Sequence, residues 1–201
     1  MDMDDQSLNH SIAVIDVETT GLFPMRNDRI VEIAVVIMAP DGQIQSEYET
    51  LINPGRDIGP TRIHGISAGE VLKAPAFAHI AGDLLAILSG ASVIAGHNVN
   101  FDRNFLVMEY ARLGIMLPKV PMLCTCQLFG RKSLQACCAA LGIKFEGTQH
   151  RAIVDARATA ILVARLVAGN CSILAKHRIA DTSWPGIEAN RTPCFTRDHA
   201  R

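Results

Sequence analysis

Near the N-terminus, apolar residues recur in short runs separated by polar turns, a pattern typical of β-strands. Residues 12–18 and 28–39 are rich in β-branched residues, which favour extended backbone. The turn "APDG" closes the second run, so residues 43–52 are predicted to pair with it as a hairpin. Three strands joined by short turns predict an antiparallel meander.

Beyond residue 52 the pattern changes to helices that alternate with loops and one short strand. Residues 53–67 hold two prolines and three glycines and are predicted to be a loop. Residues 91–98 are predicted to be a short strand that runs into a polar turn. Four segments have helical spacing of apolar residues, the last of them being a long helix or a loop leading into one: 75–90, 101–114, 132–143 and 150–169. The whole pattern predicts an α/β fold.

Composition is that of one folded domain with short appendages. Hydrophobic residues make up 49% of the 201 residues and charged residues 19%, enough for a sizeable core. We predict an N-terminal extension at 1–10, a domain at 11–169 and a C-terminal tail or appendage at 170–201. The acidic start has no apolar core and the apolar runs are short, so we predict a cytoplasmic protein without a membrane partner.

The net charge of −1 gives no basic surplus of the kind that advertises nucleic-acid binding. Any such partner must be held locally or be delivered by another protein. The six cysteines lack the usual spacing of zinc ligands, since Cys124 and Cys126 are too close and Cys137 and Cys138 are adjacent. Free thiols in a reducing compartment are the favoured interpretation.

Carboxylates are the first candidates for chemistry. Asp16 and Glu18 lie two positions apart on a predicted strand, so their side chains share one face. Two carboxylates this close repel each other, and one takes up a proton unless a cation intervenes. The alternative is an exposed strand end with solvated acids.

Two further stretches contribute acids. Asp102 lies at the start of a helix that follows a buried strand, where α/β proteins gather their sites; an ordinary acid in a first helical turn is the alternative. His150 and Asp155 are five residues apart, which is about 500° of helical rotation, so they cannot share one helix face. We therefore predict that His150 lies on a loop before the helix that carries Asp155. A solvated loop histidine is the alternative.

In this order, the motifs D-x-E-T-T-G, N-x-x-F-D and H-x4-D resemble those of the DEDDh 3′→5′ exonucleases. The resemblance covers about residues 12–168 and is nearest to the DnaQ-like group, which includes proofreading epsilon subunits of bacterial DNA polymerase III. The segments "TRIHGIS" and "KSLQACCAALGI" also look like those of this group. It implies a ribonuclease H-like exonuclease fold: a mixed five-stranded sheet of three antiparallel N-terminal strands followed by parallel strands, with helices on both faces.

The resemblance also implies a set of site residues. Two divalent cations, Mg²⁺ or Mn²⁺, would be held by Asp16, Glu18, Asp102 and Asp155, and His150 would be the general base. Thr19 and Thr20 would touch the 3′-OH and sugar of the terminal nucleotide, while His64 and Phe101 would border its base. One departure is "CTC" at 124–126, where family members often carry Asp-Thr.

The function implied is a 3′→5′ exonuclease that releases nucleoside 5′-monophosphates from DNA 3′ ends, in proofreading or DNA repair. Its partners would be a single-stranded 3′ end and a DNA polymerase subunit. An RNA-directed exoribonuclease of the same family and a catalytically silent polymerase-binding module are the alternatives. A haloacid-dehalogenase-type phosphatase is disfavoured because its D-x-D motif would need an aspartate where this chain has Glu18.

Overall fold

The fold centres on one mixed β-sheet. A computed structural model describes residues 11–145, 147 and 150–169. Five strands lie in the order β3-β2-β1-β4-β5. β1 pairs antiparallel with β2 and parallel with β4, and β4 pairs parallel with β5. The strands are β1 (Ile12–Thr19), β2 (Ile30–Met38), β3 (Ile44–Leu51), β4 (Val93–Gly96) and β5 (Met122–Cys124).

In the described residues, seven α-helices and one 3-10 helix, Pro24–Arg26, accompany the sheet. The two longest α-helices that reach the site are α4 and α7. The α-helices are α1 (Thr61–His64), α2 (Ala68–Val71), α3 (Phe77–Ser89), α4 (Val99–Arg112), α5 (Thr125–Leu128), α6 (Leu134–Ala140) and α7 (Ala152–Gly169).

Strand periodicity divides the core between the two faces of the sheet. Odd-numbered residues of β1, such as Ile15, pack with α3 and α4, whereas even-numbered ones, such as Val14, pack with α7. Tyr110 of α4 is completely buried on the first face, where its hydroxyl donates to the carbonyl of Ala81 at 2.8 Å. Both faces of β1 are therefore covered, which is why its sequence is an almost continuous apolar run until Asp16.

The predicted fold class is confirmed, as are the three N-terminal strands and the parallel pairing that follows them. Four short elements were not predicted: the 3-10 helix, α2, β5 and α5. The prediction that 53–67 is entirely loop was wrong, because Thr61–His64 forms one helical turn that ends at Gly65 with φ 72°. A single turn carries too little periodicity to be recognised among prolines and glycines.

Predictions for 1–10 and 170–201 lie outside the described residues, as do Cys171 and Cys194. The other cysteines are all free thiols, as predicted: Cys124, Cys126, Cys137 and Cys138. Among the described helices, none has the length and apolar character needed to cross a bilayer.

Candidate active site

The acids of β1 continue the row of side chains that faces α7. Ile12 and Val14 are buried beneath that helix, and the next even positions along the strand are Asp16 and Glu18. Since alternate residues of a strand share a face, both carboxylates point toward the N-terminal end of α7. The predicted shared face of Asp16 and Glu18 is thus present, and both residues are half-buried there.

Asp102 comes from the opposite face and meets β1 at its backbone. The register of β4 against β1 covers only Ile12 to Val14, so the β4 side of β1 has no strand partner beyond that point. Oδ1 of Asp102 accepts a hydrogen bond from the Val17 N–H at 3.0 Å, and the residue is only 3% exposed. The Asp102 carboxylate therefore accepts the hydrogen bond that a neighbouring strand would otherwise accept from Val17. This bond connects α4 to the end of β1.

The turn before α4 brings Asp102 into this position. Asn98 adopts a left-handed conformation with φ 69° and ψ 41°, which asparagine tolerates better than most residues. The chain reverses there within a few residues of the end of β4. Asp102 then lies in the first turn of α4, as predicted, where the helix dipole favours a carboxylate.

Asp155 and His150 complete the cluster. Asp155 is in the first turn of α7 and is 7% exposed, while His150 lies two residues before the helix begins and is exposed. One ligand atom from each of Glu18, His150 and Asp155 lies within 4.8 Å of the others. His150 reaches Asp155 because it is off the helix, as the five-residue spacing predicts.

Burial and mutual repulsion raise the pKa values of the clustered acids. Burial, followed by the charges of Asp102, Asp155, Glu18 and Glu32, holds the pKa of Asp16 well above its ordinary range. Burial and the neighbouring acids raise the pKa of Glu18 to about 8.

The two helix-borne acids are shifted in the same direction. Burial raises the pKa of Asp102 to about 7, although the hydrogen bond from Val17 opposes the shift. Burial also raises the pKa of Asp155, against the influence of His150. Clusters of carboxyl groups with raised pKa values are typical of functional sites. A bound cation would offset both the cost of burying their negative charges and the repulsion between them.

The donor set fits hard divalent cations. Among the described residues, Oδ1 of Asp155 is buried without a hydrogen-bond partner, which is costly unless a ligand satisfies it. Oxygen-rich ligation with several carboxylates suits Mg²⁺ or Mn²⁺ better than softer metals. Glu18, His150 and Asp155 bring their ligand atoms close enough together for one cation, and Asp16 and Asp102 as metal ligands stay a prediction.

The Thr-Thr-Gly turn after β1 is held by internal hydrogen bonds. The Thr19 hydroxyl donates to the Gly21 carbonyl at 2.7 Å, and the Thr20 hydroxyl donates to Oδ1 of Asp28 at 3.1 Å. A Cβ at position 21 would clash with the Asp28 carboxylate, so any larger residue there would require Asp28 to move away from Thr20. Both threonines are buried and shape the turn, and their contact with a substrate stays a prediction.

His64 and Phe101 are not part of the carboxylate cluster. The His64 ring is 2% exposed, its Nδ1 accepts from the Ile66 N–H at 3.0 Å, and its Nε2 is 3.3 Å from the Ile58 carbonyl. Phe101 is half-buried against Phe105, with ring centroids 4.9 Å apart. Their roles at a terminal base stay predictions, and His64 holds its own loop in this conformation.

Sequence reasoning missed two residues next to the site, Glu32 and Arg151. Glu32 is opposite Glu18 in the register of β1 and β2 and is completely buried. Its Oε1 accepts from Nε and Nη2 of Arg151 at 2.9 and 2.6 Å. A charged residue inside the apolar run "IVEIAVV" was the available signal, because a buried carboxylate needs a partner.

Together, the fold and this cluster define an α/β protein with a group of carboxylates at the end of its central strand. The comparison with family models agrees: residues 13–163 match the model of the Exonuclease (RNase_T) family. The chain belongs to this family, which confirms the predicted resemblance.

Proteins of similar sequence carry names from the same area. The chain is 38% identical over 168 residues to a DNA polymerase III subunit epsilon-like protein of Rhodobacter capsulatus, covering 78% of this chain and 24% of that one. It is 35% identical to the DNA polymerase III subunit epsilon of Rickettsia conorii, covering 79% and 74% respectively. With the 3′-5′ exonuclease DinG of Bacillus subtilis the identity is 37%, over 57% of this chain and 12% of DinG. Two of these three relatives are thus several times longer than the matched region.

Solved structures share the fold at low sequence identity. A zinc-bound complex of Escherichia coli ExoI with single-stranded DNA superposes with a TM-score of 0.70 at 16% identity, covering 83% of this chain and 42% of that one. A 3′-exonuclease described in connection with recognition of a histone mRNA stem-loop gives 0.68 at 17% identity, covering 82% and 66%. These likenesses confirm the ribonuclease H-like exonuclease fold.

Proposed function

We propose that the protein is a metal-dependent 3′→5′ exonuclease that releases nucleoside 5′-monophosphates from the 3′ ends of single-stranded DNA. The observation that carries the proposal is the meeting of Glu18, His150 and Asp155 within 4.8 Å, beside Asp16 on the same strand face. These residues come from distant parts of the chain. Packing alone does not explain why Oδ1 of Asp155 is buried there without a hydrogen-bond partner among the described residues. The proposed exonuclease domain is residues 11–169.

The proposed metal ligands are the four acids of the cluster. Asp16, Glu18 and Asp155 would hold one divalent cation, and Asp16 with Asp102 would support a second. When bound, such cations activate water and stabilise the negative charge that develops on a phosphoryl group. The raised pKa of Glu18, about 8, means that cation binding would release protons at neutral pH.

His150 is the proposed general base. Water attacks the phosphorus of the terminal phosphodiester and its proton passes to the imidazole. The bond from phosphorus to the 3′-oxygen of the preceding nucleotide breaks, and that oxygen takes up a proton from solvent. Imidazole suits this task because it exchanges protons near neutral pH. The products are a nucleoside 5′-monophosphate and a strand shortened by one nucleotide with a free 3′-OH.

The surface next to the Thr-Thr-Gly turn suits an unpaired strand. Leu22 and Phe23 are 68% and 55% exposed, and the guanidinium of Arg26 lies 5.1 Å from the centre of the Phe23 ring. Aromatic faces combined with cations bind single-stranded nucleic acid without strong sequence preference. This surface follows directly after Thr19 and Thr20, the proposed contacts of the terminal sugar.

DNA as substrate and a DNA polymerase subunit as partner are the finer parts of the proposal. Their support is the similarity to epsilon subunits, together with a net charge of −1 that gives little general attraction to phosphate. A role in proofreading or DNA repair, in the cytoplasm, would follow from such a partnership. An RNA substrate is the competing possibility, since one of the similar folds belongs to a protein whose description names an mRNA.

The decisive experiment compares 5′-labelled single-stranded DNA and RNA of equal length, each with Mg²⁺, with Mn²⁺ and with a chelator. We expect stepwise shortening from the 3′ end that requires metal and is faster on DNA, with nucleoside 5′-monophosphates as products. Asp16→Asn should abolish it, whereas Asp83→Asn, an exposed acid on α3, should leave it unchanged. Faster shortening of RNA would reassign the substrate.

No metal-dependent shortening of either strand would contradict the proposed activity. Calorimetric titration with Mn²⁺ then tests the silent-module alternative, because such a module should show no uptake that depends on Asp155. Co-purification with a DNA polymerase catalytic subunit tests the proposed partner separately.

A further inference from the structure

The start of α7 is tied to the sheet by a contact that the proposed chemistry leaves unexplained. Both oxygens of the buried Glu32 carboxylate are used: Oε1 accepts from Nε and Nη2 of Arg151, and Oε2 accepts from the Ala152 N–H at 2.8 Å. Ala152 is the first residue of α7, so Glu32 caps that helix from a strand 120 residues away. We refer to Glu32, Arg151 and Ala152 as the clasp.

The clasp lies directly beside His150. His150 has φ 63°, a left-handed conformation that costs a non-glycine residue energy and persists only where neighbouring contacts enforce it. The His150 backbone donates a hydrogen bond to the Asp155 carboxylate, and the contacts that follow it in the chain are those of Arg151 and Ala152. Since Glu32 is the cross-strand partner of Glu18, anchoring Arg151 on Glu32 brings His150 next to Glu18.

We propose that Glu32 and Arg151 are positioning residues that hold the His150 imidazole in its place against Glu18 and Asp155. This inference rests on the proposed function, in which His150 is the general base. Positioning of a reacting group matters because a displacement of about 1 Å can cost a factor of about 10² in rate. The clasp therefore contributes to catalysis through His150, without touching substrate itself.

The same helix offers a matched control. Arg157 of α7 pairs with Glu47 of β3, with Nε 2.8 Å from Oε1, and so repeats the Arg–Glu pairing six residues further along. That pair connects helix and sheet but lies away from His150 in the chain. Because Glu47 is partly exposed whereas Glu32 is buried, the Arg157 pair controls for the loss of an Arg–Glu contact on α7 and not for the loss of a buried charge pair. Positioning predicts a fall in kcat with KM nearly unchanged, from the clasp alone.

The experiment compares Arg151→Met with Arg157→Met. For Arg151→Met we expect kcat on single-stranded DNA to fall about tenfold or more, with KM and the Mn²⁺ dissociation constant within about threefold of the wild type. Hydrogen exchange measured by mass spectrometry without metal should speed up in the peptide spanning 150–155 and stay unchanged in β1. Arg157→Met should alter neither kcat nor exchange in that peptide.

Two conservative variants keep the test decisive if Arg151→Met does not fold. Glu32→Gln retains an acceptor for Ala152 but loses the charge, and Arg151→Lys retains the charge but loses the two-pronged contact, so both should show smaller losses of kcat. Unchanged kcat in all clasp variants, or equal losses in the clasp and Arg157 variants, would overturn the positioning role. A wild-type protein without nuclease activity would instead overturn the proposed function, and the positioning role with it.

Discussion

The two helices that deliver acids to the site, α4 and α7, do so in opposite ways. The acid of α4, Asp102, is bonded to the Val17 N–H and serves as the link between its helix and β1. The acid of α7, Asp155, has a buried oxygen without a hydrogen-bond partner among the described residues, and its helix is linked to the sheet through Glu32 and Arg151.

This difference separates two tasks that a carboxylate can have. Asp102 stabilises the fold as well as lining the site, so the folded protein holds it in place before any cation binds. On the α7 side the structural task belongs to Glu32, which is neutralised by Arg151, and Asp155 is left available to a ligand. The Asp155 carboxylate accepts a hydrogen bond from the His150 backbone, but its buried Oδ1 has no partner among the described residues, which is costly unless a bound cation compensates it.

The largest effect should come from the acids themselves. Asp155→Asn is expected to lower kcat/KM on single-stranded DNA on the order of 10³- to 10⁴-fold, because a ligand that helps stabilise phosphoryl charge contributes several kcal/mol. Asp102→Asn should lose less activity, because one oxygen of the Asp102 carboxylate is already used by the hydrogen bond from Val17. Steady-state kinetics with saturating Mn²⁺ measures both, and a larger loss for Asp102→Asn would contradict the division of tasks.

His150→Gln should lower kcat by about 10²-fold or somewhat more, the usual contribution of a general base. With saturating metal, the wild-type rate should rise with pH in a single step, because only the unprotonated base accepts a proton, and this step should vanish in the variant. His79→Gln, which changes an exposed histidine on α3, is the control and should keep the wild-type profile. A variant that retained the pH step would move the proton acceptor elsewhere.

Stability should distinguish the two substitutions of Asp102. Asp102→Ala leaves the buried Val17 N–H without an acceptor and is expected to lower the free energy of unfolding by about 1–3 kcal/mol. Asp102→Asn keeps an oxygen at the same place, so it should be nearly as stable as the wild type. Urea unfolding in the presence of a chelator measures the difference, and equal stability of the two variants would exclude the linking role.

A further effect on stability concerns pH and the metal-free protein. A carboxyl whose pKa is higher in the folded than in the unfolded chain stabilises the fold while protonated, and that stability is lost as pH rises through the folded value. The pKa of Glu18 is about 8 in the folded protein, against an ordinary value near 4. The loss of stability is therefore expected between these two pH values. We expect the thermal midpoint in chelator to fall from pH 5 to pH 8.

Saturating Mg²⁺ should flatten this decline, because the bound cation replaces the protons. Glu18→Gln should flatten it in chelator as well, since the variant has no carboxyl to ionise at that position. A midpoint in chelator that rises over the same pH range would contradict the raised pKa of Glu18, and with it the burial and crowding of these acids.

Much of the site could be predicted because it follows from local periodicity. The alternation of β1 put Asp16 and Glu18 on one face, and the rotation of a helix required His150 to lie outside α7. β5 escaped notice because three residues, Met122–Cys124, are too few to show a period. The clasp could not be predicted, because the position of Glu32 in an apolar run does not indicate which distant residue it binds.

The sequence by itself determined the elements that carry the acids, since residue spacing fixes which side of a strand or helix each side chain occupies. Only the tertiary structure decided what each acid does there. Because β4 pairs with β1 only as far as Val14, the N–H of Val17 is free to donate to Asp102. The pairing of β1 with β2 places Glu32 opposite Glu18, where it bonds to the first residue of α7. These are contacts between residues 85 and 120 positions apart, and such partners are selected by packing and burial, which no local pattern encodes.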